Sequence, residues 1–326
     1  MPPRVFVTRR IPRPGLELLE KGTDLRVFEE DRTPTREEVW EGLQGSVGLL
    51  SLLTDLIDGE LMDAGNLKVI SNYAVGVDNI DLEAATERGI LVTNAPVDGL
   101  RESPADHTLG LILALSRRIV EGDRMVRAGG FAGWGPELLL GTDVYGKTLG
   151  VVGPGGIGAA VAKRAQGFGM RIVYHGRGPK PEWGEEWGGR FVSLSNLLRE
   201  ADVVTLHVPL TPETRHLIGA QELRVMKQSA FLINTSRGPV VDEEALVVAL
   251  REGRPAGAAL DVYEHEPAVH PELIRMRNVV LTPHTASATW ETRSEMAVVA
   301  ARNLLAALRG EVPPFLVNPQ VLSSQN

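Results

Sequence analysis

The chain has 326 residues, of which 43% are hydrophobic and 23% are charged, and its formal net charge is −8. This length and composition predict about two ordinary domains, and the acidic balance argues against a nucleic-acid partner, because such binding requires a basic face. The absence of cysteine excludes disulfides, thiolate zinc sites, iron–sulfur clusters and a cysteine nucleophile.

The first 98 residues alternate predicted strands and helices. The segment 4–8, RVFVT, is a predicted strand rather than part of a secretion signal. Further strands are predicted for the apolar, β-rich runs 25–28, 46–53, 67–74 and 90–95. Helices are predicted for 12–21, 35–43, 57–64 and 81–88, the second of them beginning with a capping box. Continuous apolar strands separated by helices indicate a parallel sheet covered on both faces.

A second series follows a long connection. One long helix is predicted from Ser103 to about Ala128, and a stretch rich in glycine and tryptophan comes after it. Strands are then predicted at 148–153, 171–176, 202–208, 230–236, 257–262 and 278–283, and a last helix at about Trp290–Arg309. The fold class is therefore α/β, with two doubly wound parallel-sheet domains and hinges near 97–101 and 287–289. Because no apolar run is long enough to span a bilayer, we expect a cytoplasmic protein without a membrane partner.

The sharpest local motif is GPGGIG, which directly follows a predicted strand and begins a predicted helix. Its residues are Gly153, Pro154, Gly155, Gly156, Ile157 and Gly158. Gly153 allows the tight turn, Gly155 lets the backbone approach a pyrophosphate, and Gly158 lets the helix pack against the strand. A glycine-rich turn without a ligand is the alternative. The position between strand and helix favours dinucleotide binding.

The end of the next strand bears on which dinucleotide is used. Enzymes that use NAD place an acidic residue about 20 positions after the loop, where it holds the ribose 2′-hydroxyl. Here the strand ends at His175, Gly176 and Arg177, with no carboxylate. Arg177 could instead pair with a 2′-phosphate, although an ordinary exposed loop is the alternative. The sequence therefore predicts a preference for NADPH, with NADH as the other cofactor.

Three later strands are each followed by a residue suited to acid–base chemistry. Arg237, Glu266 and His284 stand at the carboxyl ends of predicted parallel strands, the edge at which open α/β sheets bind ligands. Reduction of a 2-oxo acid needs a cation for the carboxylate and carbonyl, which arginine supplies. It also needs a proton donor, for which histidine is suited, and a carboxylate that orients the histidine and favours its charged form.

No metal site is predicted. The segment HEPAVH, residues 265–270, resembles the helical zinc motif HExxH, but its second histidine is one residue too far along and Pro267 prevents the helix. His107, in the middle of the predicted long helix, is interpreted as a packing or capping residue.

Together these features resemble the D-isomer-specific 2-hydroxyacid dehydrogenase family over nearly the whole chain. The motifs that carry the resemblance are NYAVGVDNID (72–81), SPADHTLGLILAL (103–115), GKTLGVVGPGGIG (146–158), VPLTPETRHLI (208–218), INTSRGPVVDEEAL (233–246), ALDVYEHEP (259–267) and LTPHTASAT (281–289). Within the family the chain looks most like the glyoxylate/hydroxypyruvate reductases, on the segments YHGRGPKPE (174–182), GGFAGW (129–134) and HTASATWETR (284–293).

The resemblance implies roles for individual residues. Arg237, Glu266 and His284 would form the catalytic set, and the backbone N–H groups of Val75 and Gly76 would hold the substrate carboxylate. Substrate and nicotinamide would also be lined by Ser287, Thr235 and Asp261. The remaining positions that match cofactor-binding residues are Val208, Pro209, Thr214 and Ser236.

The resemblance also implies a domain arrangement. A flavodoxin-like substrate domain would comprise 1–99 and 289–326, and a Rossmann dinucleotide-binding domain, 100–288, would be inserted in it. Residues 101–145 would form the arm of a homodimer. Trp134 would reach the active site of the partner subunit and bind substrate there, with burial in its own subunit as the alternative.

The predicted function is hydride transfer from NAD(P)H to a small 2-oxo acid, glyoxylate or hydroxypyruvate, which gives glycolate or D-glycerate. An enzyme similar to 3-phosphoglycerate dehydrogenase is one alternative. A dinucleotide-sensing scaffold without turnover is the other.

Overall fold

The computed structural model, which describes residues 1–325, divides the chain into two compact units. Unit 1 comprises Met1–Gly99 and Thr289–Asn326, and unit 2 comprises Leu100–Ala288. The strands are β1 (Arg4–Val7), β2 (Asp24–Val27), β3 (Gly48–Ser51), β4 (Val69–Asn72), β5 (Leu91–Thr93), β6 (Thr148–Val152), β7 (Arg171–His175), β8 (Arg190–Phe191), β9 (Val203–Leu206), β10 (Phe231–Asn234), β11 (Gly257–Leu260) and β12 (Val279–Leu281).

Helices fill most of the connections. They are α1 (Arg13–Gly22), α2 (Arg36–Leu43), α3 (Gly59–Met62), α4 (Leu82–Glu87), α5 (Gly99–Ser116), α6 (Ile119–Arg127), α7 (Gly156–Gly167), α8 (Pro181–Trp187), α9 (Leu194–Glu200), α10 (Ala220–Val225), α11 (Glu243–Arg251), α12 (Pro271–Arg275) and α13 (Trp290–Leu308). Short 3-10 helices occupy Gly238–Val240 and Pro319–Gln325. Among the described residues, no helix combines the length and apolarity needed to cross a bilayer.

Unit 1 is built on a five-stranded parallel sheet in the order β2-β1-β3-β4-β5. Every residue of β3 and β4 is buried, because helices cover both faces of the sheet. The C-terminal helix α13 packs on α1 so closely that a Cβ on Gly15 would lie 2.6 Å from the carbonyl oxygen of Ala297. The strand order is that of flavodoxin-like folds, which confirms the predicted α/β class for this unit.

Unit 2 is built on a seven-stranded parallel sheet in the order β12-β11-β10-β9-β6-β7-β8. The strand order reverses between β6 and β9, which are hydrogen-bonded neighbours. In doubly wound sheets ligands bind at such a reversal, outside the carboxyl ends of the strands. This is the Rossmann arrangement that the sequence predicts. The loops that follow β6, β7, β9, β10, β11 and β12 leave the carboxyl edge of this sheet.

The prediction of one continuous helix from Ser103 to about Ala128 is wrong. The helix α5 ends at Ser116, and α6 begins at Ile119 after Arg118, which has a left-handed φ of 54°. The carbonyl of Ser116 accepts a hydrogen bond from the N–H of Thr142 rather than from the next helical turn. The hydrogen bond from Thr142 therefore ends α5 at Ser116, although the apolar periodicity of the sequence continues beyond it.

Candidate active site

The glycine-rich loop between β6 and α7 has room for a ligand. Gly153 has a φ of 100°, and a Cβ there would lie 2.5 Å from the carbonyl oxygen of His207. A Cβ on Gly158 would lie 2.3 Å from the carbonyl oxygen of Gly153, whereas one on Gly155 would meet nothing within 4 Å. In the described part of the chain no side chain caps the first turn of α7. The open space and the uncapped N–H groups fit a pyrophosphate.

The loop after β7 carries positive charge. Its first residue, Gly176, lies against the glycine-rich loop, since a Cβ there would lie 2.5 Å from Cδ of Pro154. Arg177 is exposed, and among residues 1–325 its guanidinium has no hydrogen bond or ion pair. Lys180 follows, and no carboxylate occurs before Glu182. This loop can therefore hold an anion but offers no carboxylate to accept a hydrogen bond from a ribose hydroxyl.

The loops after β9 and β10 are internally hydrogen-bonded. The hydroxyl of Thr214 donates to the carbonyl of Pro209 at 2.6 Å, which closes the loop that begins at the half-buried Val208. Thr235 is 8% exposed, and its hydroxyl forms a 3.0 Å hydrogen bond with that of Thr108. These side chains fix the shape of the carboxyl edge of the sheet.

His284 and Glu266 form a direct pair. Nδ1 of His284 lies 2.9 Å from Oε2 of Glu266, and both side chains are about a quarter exposed, at 25% and 27%. The other carboxylate oxygen of Glu266 accepts the N–H of Tyr263 at 3.0 Å. His284 has a left-handed φ of 53°, and its N–H donates to the carbonyl of Asp261 at 2.8 Å. With Nδ1 bound to the carboxylate, Nε2 is the nitrogen left for a substrate.

Asp261 organises the loop that carries the histidine. It is fully buried, and its carboxylate accepts hydrogen bonds from Thr282 Oγ1 at 2.7 Å and from the N–H groups of Thr285 and Ala286 at 2.8 Å each. His107 Nε2 lies 3.4 Å from the same carboxylate. Burial alone would raise the pKa of Asp261, but these hydrogen bonds, led by that from His107, hold the pKa below its ordinary value. Asp261 therefore holds the loop in place from a buried position. The sequence analysis did not predict its contact with His107.

Arg237 follows β10, beside the strand that precedes Glu266. Its carbonyl accepts a 2.9 Å hydrogen bond from the side chain of Asn234, which also accepts from the hydroxyl of Ser236 at 2.8 Å. The next residue, Gly238, approaches the loop after β11 so closely that a Cβ would lie 1.8 Å from the carbonyl oxygen of Tyr263. The adjacency of β10, β11 and β12 thus brings the loops of all three predicted catalytic residues to one edge.

Val75 and Gly76 lie in unit 1, in the loop that follows β4. The carbonyl of Val75 accepts from the side chain of Asn94, and that of Gly76 accepts from Asn72, each at 2.8 Å. Within the described residues, the N–H groups of Val75 and Gly76 donate to no protein acceptor. Val75 is 49% exposed. Fixed carbonyls and unused N–H groups suit this loop to bind an anion.

The remaining predicted site residues lie in two further segments of unit 2. Ser287 is half-buried in the loop after β12. Trp134 lies in the segment between α6 and β6 and is 86% exposed, so it is not buried in its own subunit. The same segment exposes other large apolar side chains: Phe131, Leu140 and Tyr145.

Comparison with known proteins agrees with this geometry. The sequence profile of the D-isomer specific 2-hydroxyacid dehydrogenase, NAD binding domain, matches residues 109–286. Together with this match, a Rossmann sheet that has an open glycine-rich loop and an acid–base pair at its carboxyl edge indicates an oxidoreductase that uses a nicotinamide dinucleotide. More particularly, the chain belongs to the D-isomer specific 2-hydroxyacid dehydrogenase family.

Full-length relatives are close. The glyoxylate reductase of Thermococcus litoralis is 50% identical over 99% of both chains, and that of Korarchaeum cryptofilum is 51% identical over 99% of this chain and 98% of its own. Among solved structures, the TT0316 protein of Thermus thermophilus is 51% identical, with a TM-score of 0.90 over 96% of this chain and 99% of its own. An NADPH-dependent glyoxylate/hydroxypyruvate reductase of Sinorhizobium meliloti, in complex with NADP and malonate, is 33% identical, with a TM-score of 0.84 over 98% of both.

Proposed function

We propose that this enzyme reduces glyoxylate, and hydroxypyruvate by the same chemistry, to the D-2-hydroxy acid, with NADPH as its preferred reductant. The observation that carries the proposal is the 2.9 Å pair of His284 and Glu266 at the carboxyl edge of the dinucleotide-binding sheet. Full-length relatives named glyoxylate reductase, at about half identity, support glyoxylate as the substrate.

The bound dinucleotide supplies the hydride that reduces the carbonyl carbon. His284 donates a proton from Nε2 to the carbonyl oxygen, while Glu266 on Nδ1 orients the ring and stabilises the charged imidazole. The guanidinium of Arg237 pairs with the substrate carboxylate and polarises the carbonyl. The N–H groups of Val75 and Gly76 are the candidate carboxylate-binding groups of unit 1, since no protein acceptor in the described chain uses them.

The two units take separate roles in this proposal. Unit 1 is the substrate domain and unit 2 the dinucleotide domain, with residues 101–145 as the arm of a homodimer. The exposure of Trp134 and of its apolar neighbours supports the arm, because a monomer rarely leaves so many large apolar side chains in water. Ser287 and Trp134 complete the substrate contacts. Thr235, Ser236 and the loop that Thr214 closes contribute to the cofactor site.

The preference for NADPH rests on the loop after β7. Arg177 is exposed without a partner among the described residues, and Lys180 adds a second positive charge nearby. A guanidinium recognises a phosphate through two charge-assisted hydrogen bonds, whereas the 2′-hydroxyl of NADH finds no carboxylate here. The similar enzyme of Sinorhizobium meliloti is NADPH-dependent.

The test is a panel of glyoxylate, hydroxypyruvate and 3-phosphohydroxypyruvate, each assayed with NADPH and with NADH through the absorbance of the reduced nicotinamide. The proposal expects turnover of the first two acids and a D-configured product from hydroxypyruvate. A clear preference for the phosphorylated acid would overturn it in favour of a 3-phosphoglycerate dehydrogenase. Tight dinucleotide binding without turnover of any acid would instead indicate a sensing scaffold.

A further inference from the structure

Arg101 lies against the dinucleotide loop, although it is far from that loop in the sequence. It stands in the first turn of α5, and its side chain runs beside Gly156, the first residue of α7. A Cβ on Gly156 would lie 3.1 Å from Cδ and 3.2 Å from Nε of Arg101. The arginine side chain therefore occupies the space beside the N-terminus of α7 into which a side chain at residue 156 would project.

The charge of Arg101 is not neutralised by any residue that the structure describes. Arg101 is exposed, and within residues 1–325 its guanidinium has neither a hydrogen bond nor an ion pair. Its nearest acidic neighbours on α5 are engaged elsewhere, because Glu102 and Asp106 both pair with Arg164, at 2.7 Å and 2.6 Å. A positive charge is thus held beside the loop by its aliphatic stem and remains available to a ligand.

The glycine-rich loop has no side chain of its own that could pair with a phosphate. The sequence GPGGIG contains no polar side chain, so the loop can offer only backbone N–H groups to the two negative charges of a pyrophosphate. We propose that Arg101 is a cofactor-binding residue whose guanidinium pairs with the pyrophosphate of the bound dinucleotide. The inference rests on the use of a nicotinamide dinucleotide and is independent of the proposed choice between NADPH and NADH.

This assignment divides the phosphate contacts between two arginines. Arg101 contacts a group that NADPH and NADH share, whereas Arg177 contacts the 2′-phosphate that only NADPH carries. Loss of Arg101 should therefore weaken both cofactors equally, and loss of Arg177 should weaken one. An exposed, charge-assisted hydrogen bond typically changes a dissociation constant about tenfold.

The experiment measures dissociation constants by calorimetry for NADPH, NADH, ADP-ribose and 2′-AMP. ADP-ribose has the pyrophosphate but no nicotinamide, and 2′-AMP has the 2′-phosphate but no pyrophosphate. The variants are Arg101→Met and Arg101→Lys, compared with Arg177→Ala. Arg171→Met is the matched control, because it removes the same charge from an exposed arginine at the start of β7, the opposite edge of the sheet.

We expect Arg101→Met to weaken NADPH, NADH and ADP-ribose about tenfold each and to leave 2′-AMP unchanged. Arg101→Lys should recover part of the loss, Arg171→Met should have no effect, and the thermal unfolding of the ligand-free Arg101→Met protein should match the wild type. Unchanged binding of ADP-ribose would overturn the assignment. A loss of affinity confined to NADPH would overturn it too. An equal loss of affinity for 2′-AMP would also overturn it, because it would show that the variant disturbs the whole site. None of these outcomes depends on which acid is reduced.

Discussion

Replacement of Arg177 by alanine should change which cofactor the enzyme prefers. The side chain is exposed and makes no hydrogen bond or ion pair within the described chain, so the fold should be unaffected by its loss. A charge-assisted hydrogen bond contributes about 1.5–3 kcal/mol, and exposure of the loop places the value at the lower end. Since about 1.4 kcal/mol corresponds to a tenfold change in binding, kcat/KM for NADPH should fall about tenfold while kcat/KM for NADH stays the same.

The assay is the ratio of the two specificity constants, measured with saturating glyoxylate at low and at high salt. The wild-type ratio should decrease with salt, because screening weakens an exposed ion pair, and the ratio of the Arg177→Ala variant should depend on salt much less. Arg171→Ala, at the other edge of the sheet, is the matched control. Equal use of NADPH and NADH by the wild type, or an unchanged ratio in Arg177→Ala, would refute the role of this loop.

A change of preference toward NADH requires a carboxylate in the loop after β7, and the close packing of this loop limits where it can be introduced. Gly176→Asp would supply the missing carboxylate, but its Cβ would lie 2.5 Å from Cδ of Pro154. The single variant should therefore weaken both cofactors by displacing the glycine-rich loop. Gly176→Asp combined with Pro154→Ala removes the ring atoms that clash and should move the preference toward NADH. An unchanged preference in this double variant would count against the carboxylate argument.

Further predictions concern catalysis and stability. His284→Ala should lower kcat by about 10²–10⁴-fold, the usual contribution of one general acid, with the dissociation constant for the dinucleotide unchanged; near-normal turnover would exclude His284 as the proton donor. Glu266→Gln should lower kcat less than His284→Ala does, because it removes the carboxylate that orients the ring but leaves the proton donor in place; an equal loss would contradict this. Burial lowers the pKa of His207 to about 3. The neutral side chain therefore makes its full contribution to the free energy of unfolding above the pKa of an unfolded histidine, about 6.5, and that contribution is lost as the pH falls toward 3. Urea unfolding should show a loss of about 2 kcal/mol at pH 5 relative to pH 7 from this group, absent in His207→Gln; equal pH dependence in both proteins would refute the assignment. Trp134→Ala should raise KM for the 2-oxo acid without lowering the thermal midpoint, and a fully active monomer would rule out its role in a partner subunit.

The sheets and the ends of their strands could be predicted because the relevant signals are local. Apolar runs such as that of β4 are buried on both faces, and a glycine-rich loop between a strand and a helix has few alternative structures. The same local information placed Glu266 and His284 at one sheet edge, and the 2.9 Å distance between them follows from the adjacency of β11 and β12.

Features that depend on distant contacts could not be predicted in this way. The break at Arg118 occurs because Thr142 takes the carbonyl that would continue the helix. The contact of His107 with the carboxylate of Asp261 joins a helix to a loop more than a hundred residues later, and the approach of Arg101 to Gly156 is of the same kind. Periodicity and motif spacing carry no information about which side chains meet across such separations.

The discontinuity of unit 1 has a consequence for how the protein is made. Its sheet is completed by the last part of the chain: Ser71 donates to the carbonyl of Ala300, and Val92 accepts a hydrogen bond from Val317. A ribosome releases the first 99 residues long before α13, and residues 100–288 take roughly ten to forty seconds to synthesise at ordinary elongation rates. During that interval the apolar sheet face of the nascent N-terminal segment is not yet covered by α13, so we expect a chaperone to bind it. Unit 2 is continuous in the sequence and can fold once all of it has been synthesised.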